Sequence, residues 1–337
     1  MHQIKQIPED FIVKEINDIQ FNDNGQYFYF ILKKKNYNTL RAVQAIAKQL
    51  KINEKDIGFA GNKDKNALTE QFISVKNGNK NIENIKIRDI ELKYLGRGNE
   101  KIYLGNLKGN GFIITIRNLA KKEIEKIKNR INNDEIRIPN YFGQQRLSNN
   151  NSLIGKALIK NNFKEAIDLI IGSNSDCKEE INYHLKKQKN DFVGALKIIQ
   201  FRLLKLYIHS YQSFLFNKTL EQYTRLIKNN KDNHKKLIND EKLPIIGFAT
   251  EINNKNIEKM INEILDKEKI SLRDFIIKAI PDLSSEGSER NALIKINDFK
   301  IINQEKDELN KNKEKITVKF SLPKGSFATV LIDYLFA

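Results

Sequence analysis

The hydrophobic pattern changes along the chain, and this change constrains the fold more than any other feature. In the first third, short apolar segments such as Tyr27 to Leu32 are separated by polar turns and predict consecutive strands. From Ser152 to Ile171 and from Phe192 to Lys228, apolar residues recur at helical spacing. Strand-like alternation returns at Ile316 to Leu322. The sequence therefore predicts a sheet that is interrupted by a helical segment.

This order of elements predicts an α+β fold with a mainly antiparallel mixed sheet. Strands that follow one another with few helices between them are not typical of a doubly wound parallel sheet. We expect one discontinuous domain, 1–150 with 300–337, and an inserted α-rich domain, 151–299. The Asn-rich stretch Ser148 to Ser152 is the expected boundary, and the polar run Asn303 to Lys315 is expected to be a loop.

Several smaller elements are also predicted in the sheet part. A helix begins after a cap at Asn38 or Thr39, since both residue types accept hydrogen bonds from a first helical turn. A short strand is expected at Ile102 to Leu104, and a hairpin turn at Gly96 to Asn99. The apolar stretch Phe327 to Leu335 fits either a strand or a helix.

The chain of 337 residues is strongly basic, with a formal net charge of +17. Such an excess suggests a polyanionic partner. The excess is spread along the whole chain, however, and the sequence is rich in Asn, Ile and Lys. A solvated, lysine-rich surface therefore explains the charge about as well as nucleic-acid binding does.

Cysteine usage and hydropathy indicate the compartment. Cys177 is the single cysteine, which excludes an intrachain disulfide and a cysteine-based metal site. No window is apolar enough to span a bilayer, and the N-terminal residues lack the apolar stretch of a signal peptide. We expect a protein of the reducing cytoplasm, not bound to a membrane.

The common cofactor and catalytic motifs are missing from the sequence. There is no phosphate-binding G-x-x-x-x-G-K-[ST] loop and no G-x-G-x-x-G after a strand. The four histidines, His2, His184, His209 and His234, show no ligand spacing, so neither a metal site nor a Ser-His-Asp triad is expected. His209 lies in an apolar helical stretch and is interpreted as a core residue. We expect no cofactor and no metal.

A carboxylate between two lysines is the first candidate site. In G-N-K-D-K at 61–65, Asp64 lies between Lys63 and Lys65. Positive neighbours favour the ionised carboxylate, which suits a nucleophile better than a general acid. The same residues are common in ordinary turns, and on chemistry alone the turn interpretation is favoured.

The second candidate is P-N-Y-F-G-Q-Q-R at 139–146. It combines the amide of Asn140, two aromatic rings and the guanidinium of Arg146. Such groups stack on unpaired bases, hydrogen-bond base edges and contact phosphates. The alternative is the beginning of a helix or strand with aromatic core residues, which composition alone favours.

Together with three further segments, these two resemble the TruD family of pseudouridine synthases. The segments, in chain order, are P-E-D-F-I-V at 8–13, F-A-G-N-K-D-K-N-A-L-T-E-Q at 59–71, L-G-N-L-K-G-N at 104–110, P-N-Y-F-G-Q-Q-R at 139–146 and L-P-K-G-S-F-A-T at 322–329. The helical segment resembles the family less, chiefly through Y-Q-S-F-L-F-N at 211–217. Five ordered segments are a far more specific signal than any one of them.

The resemblance implies a pseudouridine synthase catalytic domain, in this family's permuted order, with an inserted TRUD domain. Asp64 corresponds to the family's catalytic aspartate. Phe11, Asn140 and Phe327 fall on positions that line the pocket for the target uridine, and Lys5 falls on a position that is commonly basic.

Lys63 is a further supporting residue, which could hold phosphates or the carboxylate, as Lys5 could. Arg146 is the third supporting residue. The family usually continues Q-R-F-G, whereas Leu147 and Ser148 follow Arg146 here, which leaves the conformation of that loop open.

The resemblance also implies the activity: isomerisation of a tRNA uridine, at position 13 in the D arm in this family, to pseudouridine without a cofactor. The nucleophile would attack the ribose C1′ or the base. A non-catalytic tRNA-binding or RNA-folding protein of the same fold is the alternative. A methyltransferase is disfavoured because no glycine-rich cofactor loop follows a strand. We expect a monomer, since the charged surface shows no apolar seam.

Overall fold

The protein is described by a computed structural model that covers residues 2–131, 136–147, 150–173, 177–229 and 241–336. Its contacts divide it into two compact units, one of residues 1–137 with 295–337 and one of residues 138–294. The domain boundaries at 150 and 300 stay a prediction. Ser148, at the expected boundary, and His234 lie outside the described residues.

The first unit is built on an eight-stranded sheet. The strands of the chain are β1 Phe11–Ile16, β2 Tyr27–Lys34, β3 Ile57–Phe59, β4 Leu68–Lys76, β5 Ile90–Gly98, β6 Gly109–Leu119, β7 Arg137–Pro139, β8 Lys242–Ile245, β9 Ser288–Asn291, β10 Leu293–Lys295, β11 Asn297–Lys306 and β12 Glu314–Pro323. The large sheet has the order β11-β12-β6-β1-β4-β2-β5, and β3 pairs with β4. Strands β1 and β4 are parallel, and the other pairs in this sheet are antiparallel. The predicted α+β fold with a mainly antiparallel mixed sheet is confirmed.

Strand register brings a row of side chains to one face of this sheet. Val13 of β1 and Lys34 of β2 are both paired with Thr69 of β4. Paired residues point to the same face, so the three side chains share a face. Phe11 and Glu15 of β1 lie on this face too, because side chains alternate along a strand.

Three helices accompany the sheet in the first unit: α1 Thr39–Leu50, α2 Lys121–Ile131 and the C-terminal helix α10 Ala328–Phe336. The predicted cap of α1 is Asn38, whose side chain accepts a hydrogen bond from Arg41 N at 2.8 Å. The apolar stripe of α1, which includes Ile46 and Val43, packs on buried strand residues such as Phe30. This packing fixes Thr39, the first residue of α1, over the sheet.

The second unit is mainly helical. Its helices are α3 Gln144–Leu147, α4 Asn151–Ile159, α5 Phe163–Gly172, α6 Lys178–Lys187, α7 Phe192–Ile198, α8 Phe201–Asn229 and α9 Lys255–Glu268. Strands β8 and β9 pair antiparallel, and β7 pairs with β10. Within the part of the chain that the structure describes, no helix is long and apolar enough to cross a membrane. His209 is exposed on α8, so its interpretation as a core residue was wrong.

Two further predictions from the sequence were wrong: a short strand and the first residue of a loop. Ile102 to Leu104 forms no strand; instead Ile102 N donates a hydrogen bond to Ser74 Oγ at 3.0 Å, and the Ile102 side chain packs against buried Tyr29. The expected loop Asn303 to Lys315 begins too early, because β11 continues to Lys306. Polar residues can form a strand here because the side chains of β11 are mostly exposed.

The predicted hairpin turn at Gly96 to Asn99 is also wrong, since Gly96 and Gly98 belong to β5. The ring of Phe21 lies where a side chain on Gly96 would begin, 2.5 Å from the position of its Cβ. The ring of Tyr29 occupies the corresponding space at Gly98. These glycines are required by close packing and not by a turn. The apolar C-terminal stretch, for which strand and helix were both open, is helical in α10.

A buried ion-pair cluster joins distant parts of the first unit. Arg117 Nε lies 2.8 Å from Asp10 Oδ1, and Arg117 Nη1 lies 2.9 Å from Asp307 Oδ1. The three residues are 2%, 1% and 6% exposed, respectively. The backbones of Gln3 and Arg117 also exchange two hydrogen bonds, of 3.0 and 2.8 Å. The cluster therefore ties the N-terminal segment to β6 and to the turn between β11 and β12.

Replacing Arg117 with methionine should lower the free energy of unfolding by about 3–5 kcal/mol, because two buried carboxylates lose their partner. Urea denaturation of the full chain measures this change. Arg88→Met is the matched control, since the Arg88 side chain is 94% exposed. A loss no larger than that of Arg88→Met would contradict the structural role of Arg117.

Stability should also fall at low pH through Asp307. Burial alone would raise the pKa of its carboxyl, but hydrogen bonds from Asn118, Asn310, Leu309 and Arg117 outweigh burial and lower it to about 2. The ordinary value is 3.8, so the stabilisation is present above that pH and is lost as the pH falls toward 2. Denaturation between pH 2 and pH 5 measures it, and Asp307→Asn should show a shallower decline.

Candidate active site

Asp64 lies in the loop between β3 and β4, and buried neutral side chains hold this loop. Thr39 Oγ1 accepts a hydrogen bond from Lys63 N at 2.8 Å and donates to Gln71 Oε1 at 2.9 Å. Gln71 Nε2 in turn donates to Gly61 O at 3.2 Å. Thr39 and Gln71 are both fully buried. Residues at the beginning of α1 and in the middle of β4 thus hold the part of the loop that precedes Asp64.

Lys34, at the end of β2, holds the backbone of Asp64 itself. Its Nζ donates hydrogen bonds to Tyr37 O at 2.6 Å and to Asp64 O at 3.1 Å. Lys34 is only 3% exposed, and burial lowers its pKa to about 8, although the charge of Asp64 partly opposes that shift. The buried ammonium of Lys34 therefore fixes the backbone carbonyl of Asp64.

The carboxylate of Asp64 is paired with Lys5. Lys5 Nζ lies 2.5 Å from Asp64 Oδ2, and the Asp64 side chain is 34% exposed. Lys5 adopts a left-handed backbone conformation with φ of 60°, which is uncommon for a residue other than glycine. The pairing leaves part of the carboxylate open to solvent.

The segment that carries Lys5 is anchored on both sides. Before it, Gln3 is bound to the backbone of Arg117. After it, Asp10 Oδ2 accepts a hydrogen bond from Ile7 N at 3.1 Å, and Asp10 also pairs with Arg117. The buried cluster at Arg117 therefore positions the ammonium that contacts Asp64.

Lys63 does not contact the carboxylate beside it in sequence. Its Nζ lies 3.0 Å from Glu15 Oε2 and donates to Asn110 Oδ1 at 2.8 Å. The Glu15 side chain is fully buried, and burial raises its pKa, which Lys63 partly counteracts. Lys65 is exposed. The positive partner of Asp64 is thus Lys5, from the beginning of the chain.

Phe11 is brought to this site, and Phe327 is placed on the same unit. Lys5 Nζ lies 4.1 Å from the centre of the Phe11 ring, which is 4% exposed and meets the edge of Phe112 at 6.2 Å. Phe112 stacks on Phe320 of β12 at 5.3 Å. Phe327 follows that strand, is half-buried and precedes α10.

Asn140 and Arg146 belong to the second unit. Asn140 is 5% exposed; its Oδ1 accepts a hydrogen bond from Arg290 Nη2 at 2.6 Å, and its Nδ2 donates to Asn291 O at 3.0 Å. Arg290 Nε also donates to Asn140 O at 3.0 Å. The guanidinium of Arg290 therefore fixes both the backbone and the amide of Asn140. Arg146 lies beside Phe142, with its Cζ 4.9 Å from the ring centre.

Sequence reasoning missed Lys34, Glu15, Arg117 and Arg290. Lys34 could have been found, because it occupies the inward position that follows Phe30 and Leu32 in an alternating strand. The others carry no local signal. Arg290, for example, comes 150 residues after the amide that it holds.

A cavity of about 500 Å³ lies on the opposite face of the sheet. Its lining includes Ile12 and Lys14, which alternate with Phe11 and Val13 along β1. Lys14 is paired with Glu70 at 3.2 Å. Lys34 and Thr69 also line the cavity, whereas Asp64 is not part of its lining. Within the described ranges, no group of His, Cys, Asp or Glu side chains could hold a metal ion.

The fold and the site define a mixed-sheet protein with one ion-paired aspartate on a fixed loop, and comparisons with known proteins place it in a family. The family tRNA pseudouridine synthase D (TruD) matches residues 2–183, 176–240 and 223–334. A protein of Methanosarcina acetivorans named "Probable tRNA pseudouridine synthase D" is 30% identical over 99% of this chain and 92% of its own length. The tRNA pseudouridine synthase D of Aquifex aeolicus is 29% identical over 99% and 98% of the two chains.

A solved structure shows the same fold. The crystal structure of a Methanosarcina mazei protein described as TruD has a TM-score of 0.76 and 26% sequence identity, and the match covers 99% of this chain and 93% of that one. The chain therefore belongs to the TruD family of tRNA pseudouridine synthases, which are isomerases that modify tRNA.

Replacing Lys34 with methionine should lower kcat for pseudouridine formation by at least about tenfold, because the backbone of Asp64 is no longer fixed and small displacements are costly. The KM for tRNA should change little. Steady-state kinetics on an unmodified tRNA transcript measure both constants. The control is Lys33→Met, since Lys33 is 41% exposed and contacts Glu91 on the other face. Equal kcat values for the two variants would contradict this role of Lys34.

Proposed function

We propose that the protein isomerises a specific uridine of tRNA to pseudouridine with Asp64 as the nucleophile. The observation that carries this proposal is the Asp64 carboxylate, which is ion-paired with Lys5 at 2.5 Å on a loop fixed by Thr39, Gln71 and Lys34. A nucleophilic carboxylate must be ionised, held in place and open to the substrate. Asp64 is held in place by its loop, and its side chain is 34% exposed.

The reaction is balanced without a co-reactant. The bond from the uracil N1 to the ribose C1′ breaks, the base turns, and a bond from C5 to C1′ forms. The hydrogen on C5 is lost as a proton, and N1 gains one. The carboxylate of Asp64 attacks the substrate as nucleophile and is regenerated, so nothing is consumed.

The target uridine must leave the RNA stack to reach Asp64, which costs a few kcal/mol. Phe11 and Phe327 are proposed to stack on the extruded uracil, a contact worth about 1–3 kcal/mol per base. In the structure, Lys5 lies over the Phe11 ring, so stacking there requires that this ammonium move aside. In the structure, the Lys5 ammonium contacts both the Phe11 ring and the Asp64 carboxylate.

Asn140 is proposed to recognise the uracil edge. Arg290 occupies one lone pair of its amide oxygen, and the Asn291 carbonyl takes one amide hydrogen. Uracil presents both an N–H donor and carbonyl acceptors, and a side-chain amide matches them because it carries both a carbonyl oxygen and an NH₂ group.

The resemblance of this chain to the TruD family supports uridine 13 in the D arm as the target. The net charge of +17 supports binding of the tRNA backbone, with an affinity that falls as salt increases. We further propose that Lys63 pairs with Glu15 and does not bind phosphate, because its Nζ is engaged by that buried carboxylate. A cytoplasmic monomer is the proposed form of the enzyme.

Asp64→Asn should reduce pseudouridine formation by on the order of 10⁴-fold or more, because it removes the nucleophile. The Kd for tRNA should stay within about threefold of wild type, a change of less than 1 kcal/mol. Chemical labelling of pseudouridine followed by primer extension measures the product and its position, and filter binding measures the Kd.

The matched control is Asp18→Asn, which removes an exposed carboxylate that is also paired with a lysine, Lys108, at 2.7 Å. This variant should retain full activity. Activity of Asp64→Asn equal to that of Asp18→Asn would refute the mechanism. A wild-type protein that binds tRNA but forms no pseudouridine would instead be a non-catalytic tRNA-binding protein.

A further inference from the structure

Two arginines of the second unit converge on one aromatic ring. The Cζ atom of Arg290 lies 4.2 Å from the centre of the Phe142 ring, and that of Arg146 lies 4.9 Å from it. Phe142 is buried and meets the edge of Phe216 of α8 at 5.4 Å. The ring is therefore rigidly held, and both guanidinium groups are positioned by it.

The two guanidinium groups differ in their partners. Arg290 is engaged by Asn140, to which it donates through Nε and Nη2. The guanidinium of Arg146 forms no hydrogen bond and no ion pair with any residue in the described ranges. Its Nε is fully buried without a partner, while the side chain as a whole is half-buried, so the terminal nitrogens reach solvent.

The surroundings of Arg146 are positive. Burial lowers the pKa of Arg146, and burial followed by the charge of Arg146 lowers the pKa of Arg290 to about 10. Partial burial lowers the pKa of His209, and the charges of Arg146 and Lys205 lower it further. Each of these shifts lowers the pKa of a basic group, so positive charge is disfavoured here.

An unpaired guanidinium in such a place costs free energy that an anion would recover. Burying a charge is unfavourable unless it is paired, and a second cation nearby adds to the cost. Planar guanidinium groups bind phosphate oxygens through two parallel hydrogen bonds, and stacking on an aromatic ring orients them for this. The arrangement around Arg146 is therefore suited to binding an anion.

We propose that Arg146, next to Arg290 on the Phe142 ring, binds a phosphate group of the tRNA backbone. The choice of tRNA as the source of that phosphate rests on the proposed function. The site belongs to the second unit, which thereby contributes binding of the RNA chain as well as the uridine-recognising amide. Arg146 acts on affinity and not on the chemical step.

The first test replaces Arg146 with methionine in the full chain. The Kd for tRNA should rise about tenfold, as expected for one charge-assisted contact. The slope of log Kd against log salt should become shallower by about one unit. The melting temperature should be unchanged or higher, because an unpaired buried charge has been replaced by an apolar side chain. Filter binding at several salt concentrations and thermal melting measure these quantities.

Arg225→Met is the matched control, since Arg225 is exposed on the same unit and already paired with Glu221 four residues earlier. It should leave both Kd and slope close to wild type. An Arg146→Met variant that binds tRNA as Arg225→Met does would overturn the proposal. A melting temperature lower by more than about 5 °C would assign Arg146 a structural role and overturn it as well.

The second test uses inorganic phosphate as the probe. At constant ionic strength, replacing chloride with phosphate should raise the melting temperature of the wild type but not that of Arg146→Met. If phosphate stabilises the wild type while Arg146→Met keeps its tRNA affinity, the site takes free phosphate and the RNA assignment is overturned. An equal phosphate effect on both proteins would overturn the site itself.

These readouts are independent of catalysis. Repeating the binding series in the Asp64→Asn background should give the same tenfold loss with Arg146→Met. If Asp64 proves dispensable for activity, the phosphate contact is still tested by these Kd values. If Arg146 fails its test, the role of Asp64 stands unaffected.

Discussion

The buried contact of Arg117 with Asp10 and Asp307 is the interaction on which the rest of the candidate site depends. One guanidinium joins the residue before β1, the middle of the sheet at β6 and the turn before β12. Buried charges of this kind are stable only when they are all present, because a lone buried carboxylate is costly. The cluster therefore specifies one arrangement of the N-terminal segment, and that segment delivers Lys5 to Asp64.

Around Asp64, different residues hold the loop and contact the carboxylate. Neutral side chains and the ammonium of Lys34 hold the backbone of the loop. Lys5 contacts the carboxylate, while Lys63 pairs with Glu15. The contacts that hold the loop backbone and the contact with the carboxylate thus come from different residues. A substitution can therefore remove one kind of contact and leave the other.

The sequence predicted the fold class well because periodicity reports directly on which residues are buried. Asp64 was proposed as the catalytic aspartate from the resemblance to a family, since its local chemistry is also that of a common turn. Only the resemblance indicated that Lys5, 59 residues from Asp64, could hold phosphates or the carboxylate, and Arg290, 150 residues from Asn140, was not predicted at all. Such pairings depend on strand order, and periodicity does not contain it. The glycines of β5 were misjudged for a similar reason, since the aromatic rings that require them come from elsewhere in the chain.

The separation between Arg117 and Asp307 has a consequence for synthesis of the protein. The two residues are 190 positions apart, and the whole stretch 138–294 is translated between them. A growing chain therefore carries Arg117 without Asp307 until the turn that follows β11 has left the ribosome. Domains generally fold as units during translation. The second unit can complete its own contacts while the first still lacks two strands, so a chain truncated before β11 would carry the proposed phosphate site at Arg146 without an assembled site around Asp64.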